Sequence, residues 1–398
     1  MNLLDVLLLL AVLVYAVSGY QRGLVAGLVS LAGFVGGVVV GVWLLPFALD
    51  QVTEGTTGAT VVALLTVLVP ALAGHALAAP LGWRLRRGLS WAPVRWADGA
   101  GGAVINGLAV LVVAWVAASA LAASPSPVLN QAIRGSSVLG TVHDRMPAQA
   151  ATWFNRATGA LTTAGFPPVF NPFEHEPGVS VAEPSGDSVT PAATRAAQRS
   201  TVKVEGVANV DGRQQGQEGS GFVYSGDHVM TNAHVVAGVD DPTVRVGGVG
   251  QRYEAEVVLF DPGTDVAVLD VPGLDAPSLD FAGDASRGDP AVVAGYPENG
   301  GLDLRAATVA ERVRAQGQDI YGSSLSTRDI YALRSTVRPG NSGGPLLTTD
   351  GKVYGVIFAR STSDADTGYA LTADQVRAHA KRASNATQPV DTGNRSAL

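Results

Sequence analysis

Residues 337–347 read VRPGNSGGPLL, and they surround one serine, Ser342, with glycine and proline before an apolar run begins. Gly-Asn and Gly-Pro pairs also occur in ordinary turns, so this pattern alone does not establish a function. The alternative is that the glycines bring backbone N–H groups close to a group bound beside Ser342. That alternative requires a base elsewhere in the chain that can activate the hydroxyl.

Two further residues can supply that base and its carboxylate partner. His234 lies within the stretch MTNAHVV, and Asp265 opens the apolar run DVAVL. Each alone is typical of a surface or turn residue, but the chain order histidine, aspartate, serine is one of the known orders of a serine triad. We predict His234 as general base, Asp265 as the carboxylate that orients it, and Ser342 as nucleophile. The N–H groups of Gly340 and Ser342 would then form an oxyanion hole.

Composition divides the chain into two parts. Of 398 residues, 47% are hydrophobic and only 15% are charged, against roughly 25% charged in ordinary soluble domains. Residues 1–123 hold five basic and four acidic residues, which leaves 22 basic and 30 acidic for the remainder. We therefore expect no nucleic-acid partner, because the soluble part has no basic block. The chain has no cysteine, which excludes disulfides and cysteine-based metal sites, and we expect neither a metal nor a cofactor.

Four apolar runs occupy the first part, and each is near the roughly 20 residues that a membrane-spanning helix needs. Their approximate bounds are 3–19, 23–47, 60–80 and 99–123. The first run lacks a basic segment before it and is followed by three others, which favours an anchor over a signal peptide. We predict an α-helical bundle of four transmembrane helices over residues 1–123. The GxxxG spacing that begins at Gly23 and at Gly37 predicts close helix packing in the lipid bilayer.

The loops between these runs predict the orientation. The first loop carries Arg22 and the third carries four arginines, whereas the second has Asp50 and Glu54 and no basic residue. The positive-inside rule then puts loops one and three in the cytoplasm. We expect a multi-pass protein of the cell membrane, with everything after residue 123 on the periplasmic or cell-wall side.

The second part begins with an extracytoplasmic segment over residues 124–191. Helical patterning through Met146, Trp153, Phe154 and Leu161 is followed by a proline- and acid-rich linker, expected to be disordered. From residue 192 to 384, short β-type runs alternate with glycine- and aspartate-rich turns, which predicts a sandwich or barrel. Residues 385–398 are expected to form a polar, disordered tail.

The segments TNAHVV, DVAVL and GNSGGP resemble the signature segments of trypsin-like and HtrA-like serine proteases, over about residues 195–382. This resemblance implies an all-β, chymotrypsin-like double β-barrel and a serine endopeptidase that cuts proteins or peptides. Residues 1–123 resemble the colicin V production (CvpA) membrane family. The combination resembles the MarP-like membrane-anchored serine proteases of actinobacteria, which implies substrates in the cell envelope and a role in acid-stress response.

The resemblance also assigns a substrate pocket. The residue six before the nucleophile forms the pocket floor in trypsin-like enzymes, which corresponds to Thr336 here. The pocket wall would come from Phe358, Ala359 and Arg360, with Gly368 opposite. Because a pocket without a carboxylate would bury a basic side chain unpaired, we expect a neutral P1 residue.

One residue beside the nucleophile bears on how the protease is activated. Asn341 replaces the aspartate that pairs with a newly cut N-terminus in trypsin-like zymogens, so that activation route is not expected. Cleavage of the linker by the protease itself is expected instead.

An esterase that uses the same triad is one alternative to the peptidase function. The other is a membrane transporter or scaffold regulated by the protease, suggested by the polar residues Asp5, His75 and Asn106 in or near the spans.

Overall fold

The computed structural model describes residues 2–49, 57–86, 91–121, 127–146, 169–170, 176, 179–210 and 213–393. These residues fall into two compact units, one reaching residue 146 and the other beginning at residue 169. Trp153, Phe154 and Leu161, on which the helical patterning rested, lie outside the described residues, as do Asp50 and Glu54 of the second loop.

The described part of the first unit is helical. Its helices are α1 Leu3–Arg22, α2 Leu24–Leu49, α3 Thr57–Arg86, α4 Ala92–Leu121, α5 Pro127–Arg134 and α6 Ser137–Arg145. Helices α1 to α4 are long and apolar enough to cross a membrane, which confirms the predicted four-helix part of the fold. Most of these helices are longer than the apolar runs of the sequence, because polar residues that flank the runs continue the same helices.

Small residues let these helices approach closely. A Cβ added at Gly37 in α2 would lie 2.1 Å from the carbonyl oxygen of Pro70 in α3, and one at Gly41 would lie 2.7 Å from the Cα of Val67. On the other side of the bundle, a Cβ at Gly19 in α1 would lie 2.2 Å from the carbonyl oxygen of Gly102. The backbones therefore touch where the glycine spacing of α2 predicted close packing.

Asp5 and Asn106, two of the polar residues that the sequence singled out in or near the spans, have structural partners. The Asp5 side chain is fully buried, caps α1 together with Asn2, and accepts a 2.5 Å hydrogen bond from Ser136 Oγ. The Asn106 side-chain amide donates to the carbonyl oxygen of Gly102, one helical turn earlier, at 3.0 Å. Both side chains thus satisfy backbone or capping groups within the bundle, which gives the transporter alternative no support from them.

The second unit is built mainly from β-strands. They are β1 Thr201–Val210, β2 Arg213–Ser225, β3 His228–Thr231, β4 Thr243–Val246, β5 Tyr253–Glu254, β6 Glu256–Asp261, β7 Val266–Asp270, β8 Pro290–Gly295, β9 Asp303–Gln318, β10 Leu325–Arg334, β11 Pro345–Leu347, β12 Val353–Arg360 and β13 Thr367–Thr372. Among the described residues they are accompanied by α-helices α7 Pro191–Ser200, α8 Ala233–Val236 and α9 Ala373–Ala383, and by short 3₁₀ helices at Gly186–Ser188 and Pro297–Asn299.

The strands form two antiparallel sheets in succession. Strands β1 to β7 form a seven-stranded sheet in the order β5-β4-β1-β2-β3-β7-β6, and strands β8 to β13 close a barrel in the order β10-β13-β12-β11-β8-β9. Valine and leucine residues such as Val229 and Leu269 fill the first sheet, and Leu346 and Ile357 fill the barrel. The predicted all-β chymotrypsin-like class is confirmed, with the first half a curled sheet and the second a closed barrel.

Two segments that were expected to be disordered are ordered, and both expectations need correction. Within the linker, residues 179–191 pack against the barrel: Val179 and Val181 cover its core, and Arg334 Nη1 donates to the Val181 carbonyl at 3.0 Å. Within the tail, the Val390 N–H donates to the Val257 carbonyl at 2.8 Å. Proline and polar composition suggested disorder, but a few apolar side chains and backbone hydrogen bonds hold both segments on the protein. Residues 394–398 lie outside the described residues.

Candidate active site

His234 lies in the single turn of α8, directly after β3, and is 8% exposed. Its Nδ1 is 2.7 Å from Asp265 Oδ2, and its backbone N–H donates to Asp265 Oδ1 at 2.9 Å. The fully buried Asp265 carboxylate therefore holds both the ring and the backbone of His234. With the proton on Nδ1 committed to the carboxylate, Nε2 is left with its lone pair and can act as a base.

The position of Asp265 depends on a tight turn between β6 and β7. Its φ of +66° lies in the left-handed region, which aspartate tolerates better than most residues. Its backbone N–H donates to the Asp261 carbonyl at 2.9 Å. Its own carbonyl accepts a 2.8 Å hydrogen bond from the side chain of Asn232, the residue before α8. The Asn232 amide makes no hydrogen bond that caps α8 and instead holds the backbone of Asp265.

The glycines beside Ser342 are required by close backbone contacts. Gly340 has φ +94°, and a Cβ there would lie 2.4 Å from the carbonyl oxygen of Tyr296. Gly343 has φ +83°, and a Cβ there would lie 2.1 Å from the carbonyl oxygen of Ser220 and 2.3 Å from Thr231 Oγ1. Both the conformation and the lack of space exclude a side chain, which answers why one serine is surrounded by glycine.

The hydrogen bonds of this loop leave two N–H groups free. The N–H groups of Asn341, Gly343 and Gly344 donate to backbone carbonyls at 3.0, 2.7 and 3.0 Å. Among the residues that the structure describes, the N–H groups of Gly340 and Ser342 donate to none. These are the two donors that the sequence predicted for an oxyanion hole. Asn341 itself is buried and closes the turn, accepting from the Arg338 N–H at 2.9 Å.

Ser342 Oγ and His234 Nε2 are both buried, and neither has a hydrogen-bond partner among the described residues. The chain brings their backbones together, since a Cβ at Gly343 would lie 3.1 Å from the N–H nitrogen of Asn232. The Ser–His hydrogen bond is not formed, although hydrogen bonds of this kind often tighten only when substrate binds. A buried hydroxyl and a buried imidazole nitrogen are thus both left without a partner, on two segments whose backbones approach each other at Gly343 and Asn232.

Ser220 in β2 joins the first sheet to the nucleophile loop, and the sequence did not reveal it. Its N–H donates to the Ser342 carbonyl at 2.7 Å, and its Oγ donates to the Gly340 carbonyl at 2.6 Å. The same Oγ accepts from the Tyr296 N–H at 2.8 Å, so the buried hydroxyl has two hydrogen-bond partners, one in the loop after β8 and one in the loop before β11. A small residue in a GSGF stretch carries no sequence signal for this role, whereas Asn232 could have been suspected from its place beside His234.

The predicted pocket wall lies at the end of β12, where Arg360 pairs with Gly368 of β13. Phe358 is fully buried in the core, with the Arg328 guanidinium 6.0 Å from the ring centroid, and Ala359 is fully buried as well. A Cβ at Gly368 would lie 2.3 Å from a methyl group of Val337. Arg360, the last residue of β12, is partly exposed. The pocket assignment therefore stays a prediction, with Phe358 facing the core.

A carboxylate lies beside the predicted pocket floor. Thr336 Oγ1 donates to Asp366 Oδ1 at 3.2 Å. The expectation of a neutral P1 residue rested on the lack of such a carboxylate in the local sequence, because Asp366 is 30 residues away along the chain. The premise that no carboxylate lies near the pocket floor is therefore wrong.

Among the described residues, no group of three or more His, Asp or Glu side chains is placed to hold a metal ion.

Comparisons with known proteins match both halves of the chain. Residues 4–147 match the Colicin V production protein family, and residues 219–356 match the trypsin-like peptidase domain. The chain is 37% identical over 393 residues to serine protease Rv3671c of Mycobacterium tuberculosis, and the alignment covers 98% of each protein. The Do-like HtrA serine protease of Lactococcus lactis is 32% identical over 168 residues, which are 40% of this chain and 41% of that protein.

A comparison with solved structures identifies the same relative as the sequence comparison. The crystal structure of the Rv3671c protease in its active form aligns with a TM-score of 0.53 at 43% identity, covering 57% of this chain and all of the solved one. Similarity over the full length, with both domains in the same order, establishes the relationship. The chain therefore belongs to the family of membrane-anchored serine proteases that join a Colicin V production domain to a trypsin-like peptidase domain.

Proposed function

We propose that this serine protease is an extracytoplasmic endopeptidase that works through His234, Asp265 and Ser342. His234 Nε2 takes the proton from Ser342 Oγ as the oxygen attacks the carbonyl carbon of the scissile peptide bond. Asp265 holds the Nδ1–H of the ring and stabilises the imidazolium that forms. The imidazolium then gives its proton to the leaving amine, and a water molecule releases the acyl group by the same path in reverse.

The tetrahedral intermediate carries a negative charge on the former carbonyl oxygen. We assign its stabilisation to the N–H groups of Gly340 and Ser342, because their neighbours in the loop donate to the protein and these two do not. Fixed N–H donors of this kind lower the barrier by about 3 kcal/mol each in serine proteases. The glycine conformation at residue 340 is needed to aim the first of them.

The observation that carries this proposal is the pair of hydrogen bonds between Asp265 and His234, one from the ring at 2.7 Å and one from the backbone at 2.9 Å. The test is hydrolysis of an unfolded protein such as casein by the full chain in detergent, for the wild type and for Ser342→Ala. We expect turnover by the wild type only. Equal turnover by both variants would overturn the assignment of the nucleophile.

The proposed side of the membrane follows from the arginines. Arg22 ends α1, and Arg84 lies near the end of α3, so basic residues mark the first and third loops. The protease would then face the periplasm or cell wall and act on envelope proteins. A role in acid-stress response stays a prediction that rests on the resemblance to the actinobacterial proteases.

Self-cleavage of the linker also belongs to the proposal, and one contact supports it. The Glu176 carboxylate accepts from Ser363 Oγ at 2.6 Å and from Thr362 Oγ1 at 3.2 Å. These hydroxyls lie in the loop after β12, the strand that carries the predicted pocket wall. The linker therefore has a residue beside the proposed substrate site. Immunoblots of membranes should show a shortened fragment for the wild type and only full-length chain for Ser342→Ala, whereas the same bands in both would exclude self-cleavage.

A further inference from the structure

The turn that presents Asp265 is organised by one carboxylate, that of Asp261 at the end of β6. Asp261 Oδ1 accepts from the N–H groups of Gly263 and Thr264 at 3.0 and 3.1 Å. Its Oδ2 accepts from Thr264 Oγ1 at 3.0 Å. The Asp261 carbonyl accepts the N–H of Asp265 at 2.9 Å. Pro262 has no N–H, so every backbone N–H from residue 262 to residue 265 donates to Asp261.

This turn has to hold Asp265 in a conformation that the residue does not prefer. A left-handed φ in a non-glycine residue is strained and persists only where the surroundings impose it. The Asp261 carboxylate imposes it from one side, and the Asn232 amide holds the Asp265 carbonyl from the other. The direction of the Asp265 side chain toward His234 thus depends on where Asp261 is held.

Asp261 is held by a histidine from the other end of the domain. His379 in α9 places Nε2 2.7 Å from Asp261 Oδ2, 118 residues away in sequence. The His379 side chain is 8% exposed, and its Nδ1 faces the Gln375 carbonyl at 3.2 Å. Both ring nitrogens face acceptors, so only the protonated ring can donate both hydrogen bonds. Helix α9 is itself anchored by its apolar face, through Val376 and Ala380 in the core.

The charges around this pair favour the ionised carboxylate. The hydrogen bond from His379 is the largest cause that holds the pKa of Asp261 well below its ordinary value, against the opposing effect of partial burial. The guanidinium of Arg328, almost fully buried in β10, interacts electrostatically with Asp265, Asp319 and Asp261. Burial lowers the pKa of Arg328, and these three carboxylates oppose that effect.

We propose that His379 is a positioning residue for catalysis: through Asp261 it fixes the turn that aims Asp265 at His234. The proposal rests on the proposed function, because it needs Asp265 to orient His234. It gives the C-terminal helix of the domain a part in the reaction through Asp261 rather than through the triad itself. The chain His379–Asp261–Asp265–His234 is continuous in hydrogen bonds from α9 to the base.

The test compares His379→Ala, His379→Gln and His228→Ala in the full chain in detergent. His228 is the matched control, because it is also a buried histidine of this domain and binds a backbone carbonyl, that of Ala386, at 3.0 Å. His379→Gln keeps an N–H donor near the place of Nε2. A second variant, Asp261→Ala, removes the carboxylate itself.

The first measurement is the rate of labelling by a fluorophosphonate probe. We expect His379→Ala and Asp261→Ala to lower the rate at least about tenfold, well short of the roughly 10⁴-fold expected for loss of the triad aspartate. His379→Gln should recover most of the rate, and His228→Ala should label within about twofold of the wild type. If His379 contributed only to stability, as a buried histidine, His379→Ala and His228→Ala would lower the labelling rate equally. That result would overturn the proposal.

The second measurement does not depend on activity. Hydrogen exchange followed by mass spectrometry should show faster exchange of the peptide spanning residues 261–268 in His379→Ala than in the wild type, with no change in His228→Ala. Unchanged exchange of that peptide, or a labelling rate of His379→Ala equal to that of the wild type, refutes the positioning role. If Ser342→Ala were labelled like the wild type, the proposed function would fail, and exchange at the turn would still decide whether His379 holds it.

Discussion

Ser220 Oγ donates a 2.6 Å hydrogen bond to the carbonyl oxygen of Gly340, across the boundary between the first sheet and the barrel. The bond fixes the peptide that follows Gly340, while the Ser220 N–H fixes the carbonyl of Ser342 two residues later at 2.7 Å. One small residue of β2 thus sets the orientation of the loop that carries the nucleophile and the proposed oxyanion donors.

Replacement of Ser220 by alanine should reduce kcat with little change in KM. The change leaves the Gly340 carbonyl and the Tyr296 N–H without their buried partner, and an unsatisfied buried polar group costs about 1–3 kcal/mol. If that cost falls on the oxyanion loop, turnover drops about tenfold or more. Thr348→Ala is the control, since Thr348 is a buried hydroxyl that binds the Lys352 N–H at 2.9 Å in the hairpin between β11 and β12. Equal kcat values for the two variants would show that Ser220 does not set the loop.

Replacement of Gly343 by alanine should abolish activity and destabilise the domain. The added Cβ would meet the Ser220 carbonyl oxygen at 2.1 Å, so either the loop or β2 must move. Gly288→Ala is the matched control, because Gly288 has a similar φ of +90° but no atom within 4 Å of an added Cβ. Gly288→Ala should cost only the backbone strain, about 1–2 kcal/mol, and keep its activity. Calorimetry and casein hydrolysis check both variants, and wild-type turnover by Gly343→Ala would contradict the packing argument.

Acid should narrow the difference in stability between the wild type and Asp261→Asn. His379 keeps the pKa of Asp261 low in the folded protein, so the carboxylate stabilises the fold fully above the unfolded value of about 3.9. As the pH falls below that value, the unfolded chain binds a proton that the folded one does not, and this contribution shrinks. Calorimetry of the full chain in detergent should therefore show a gap in Tm at pH 6 that narrows toward pH 3. A gap that widens in acid would contradict a lowered pKa.

The side of the membrane can be tested with single cysteines, because the chain has none of its own. Val249 is 74% exposed in the protease unit, and Trp91, 69% exposed, lies directly before α4, at the end of the third loop. In intact cells or spheroplasts, a membrane-impermeant maleimide should label Val249→Cys and should label Trp91→Cys only after permeabilisation. The reverse pattern would put the protease in the cytoplasm.

The sequence predicted those features that depend on local pattern or on chain order. Four apolar runs predicted α1 to α4, and the order of His234, Asp265 and Ser342 predicted a chymotrypsin-like arrangement. The glycine at residue 340 was also predicted to be needed, since the loop pattern itself indicates backbone freedom around the serine.

Features that depend on contacts between distant residues were missed. The pairing of His379 with Asp261 and the approach of Asp366 to Thr336 join residues 118 and 30 positions apart, and neither member of a pair carries a signal of its own. The order in residues 179–191 was missed for a related reason. Its polar composition suggested a disordered linker, whereas its few valines find an apolar surface that only the folded barrel provides.

The proposed function requires Ser342 to be the nucleophile. It is tested most directly by reacting the full chain in detergent with a fluorophosphonate and mapping the modified residue by peptide mass spectrometry. We predict a single adduct on the peptide that contains Ser342, its loss in Ser342→Ala, and a labelling rate for His234→Ala reduced by roughly 10⁴-fold or more. An adduct on another residue, or labelling of Ser342→Ala at the wild-type rate, would contradict the account.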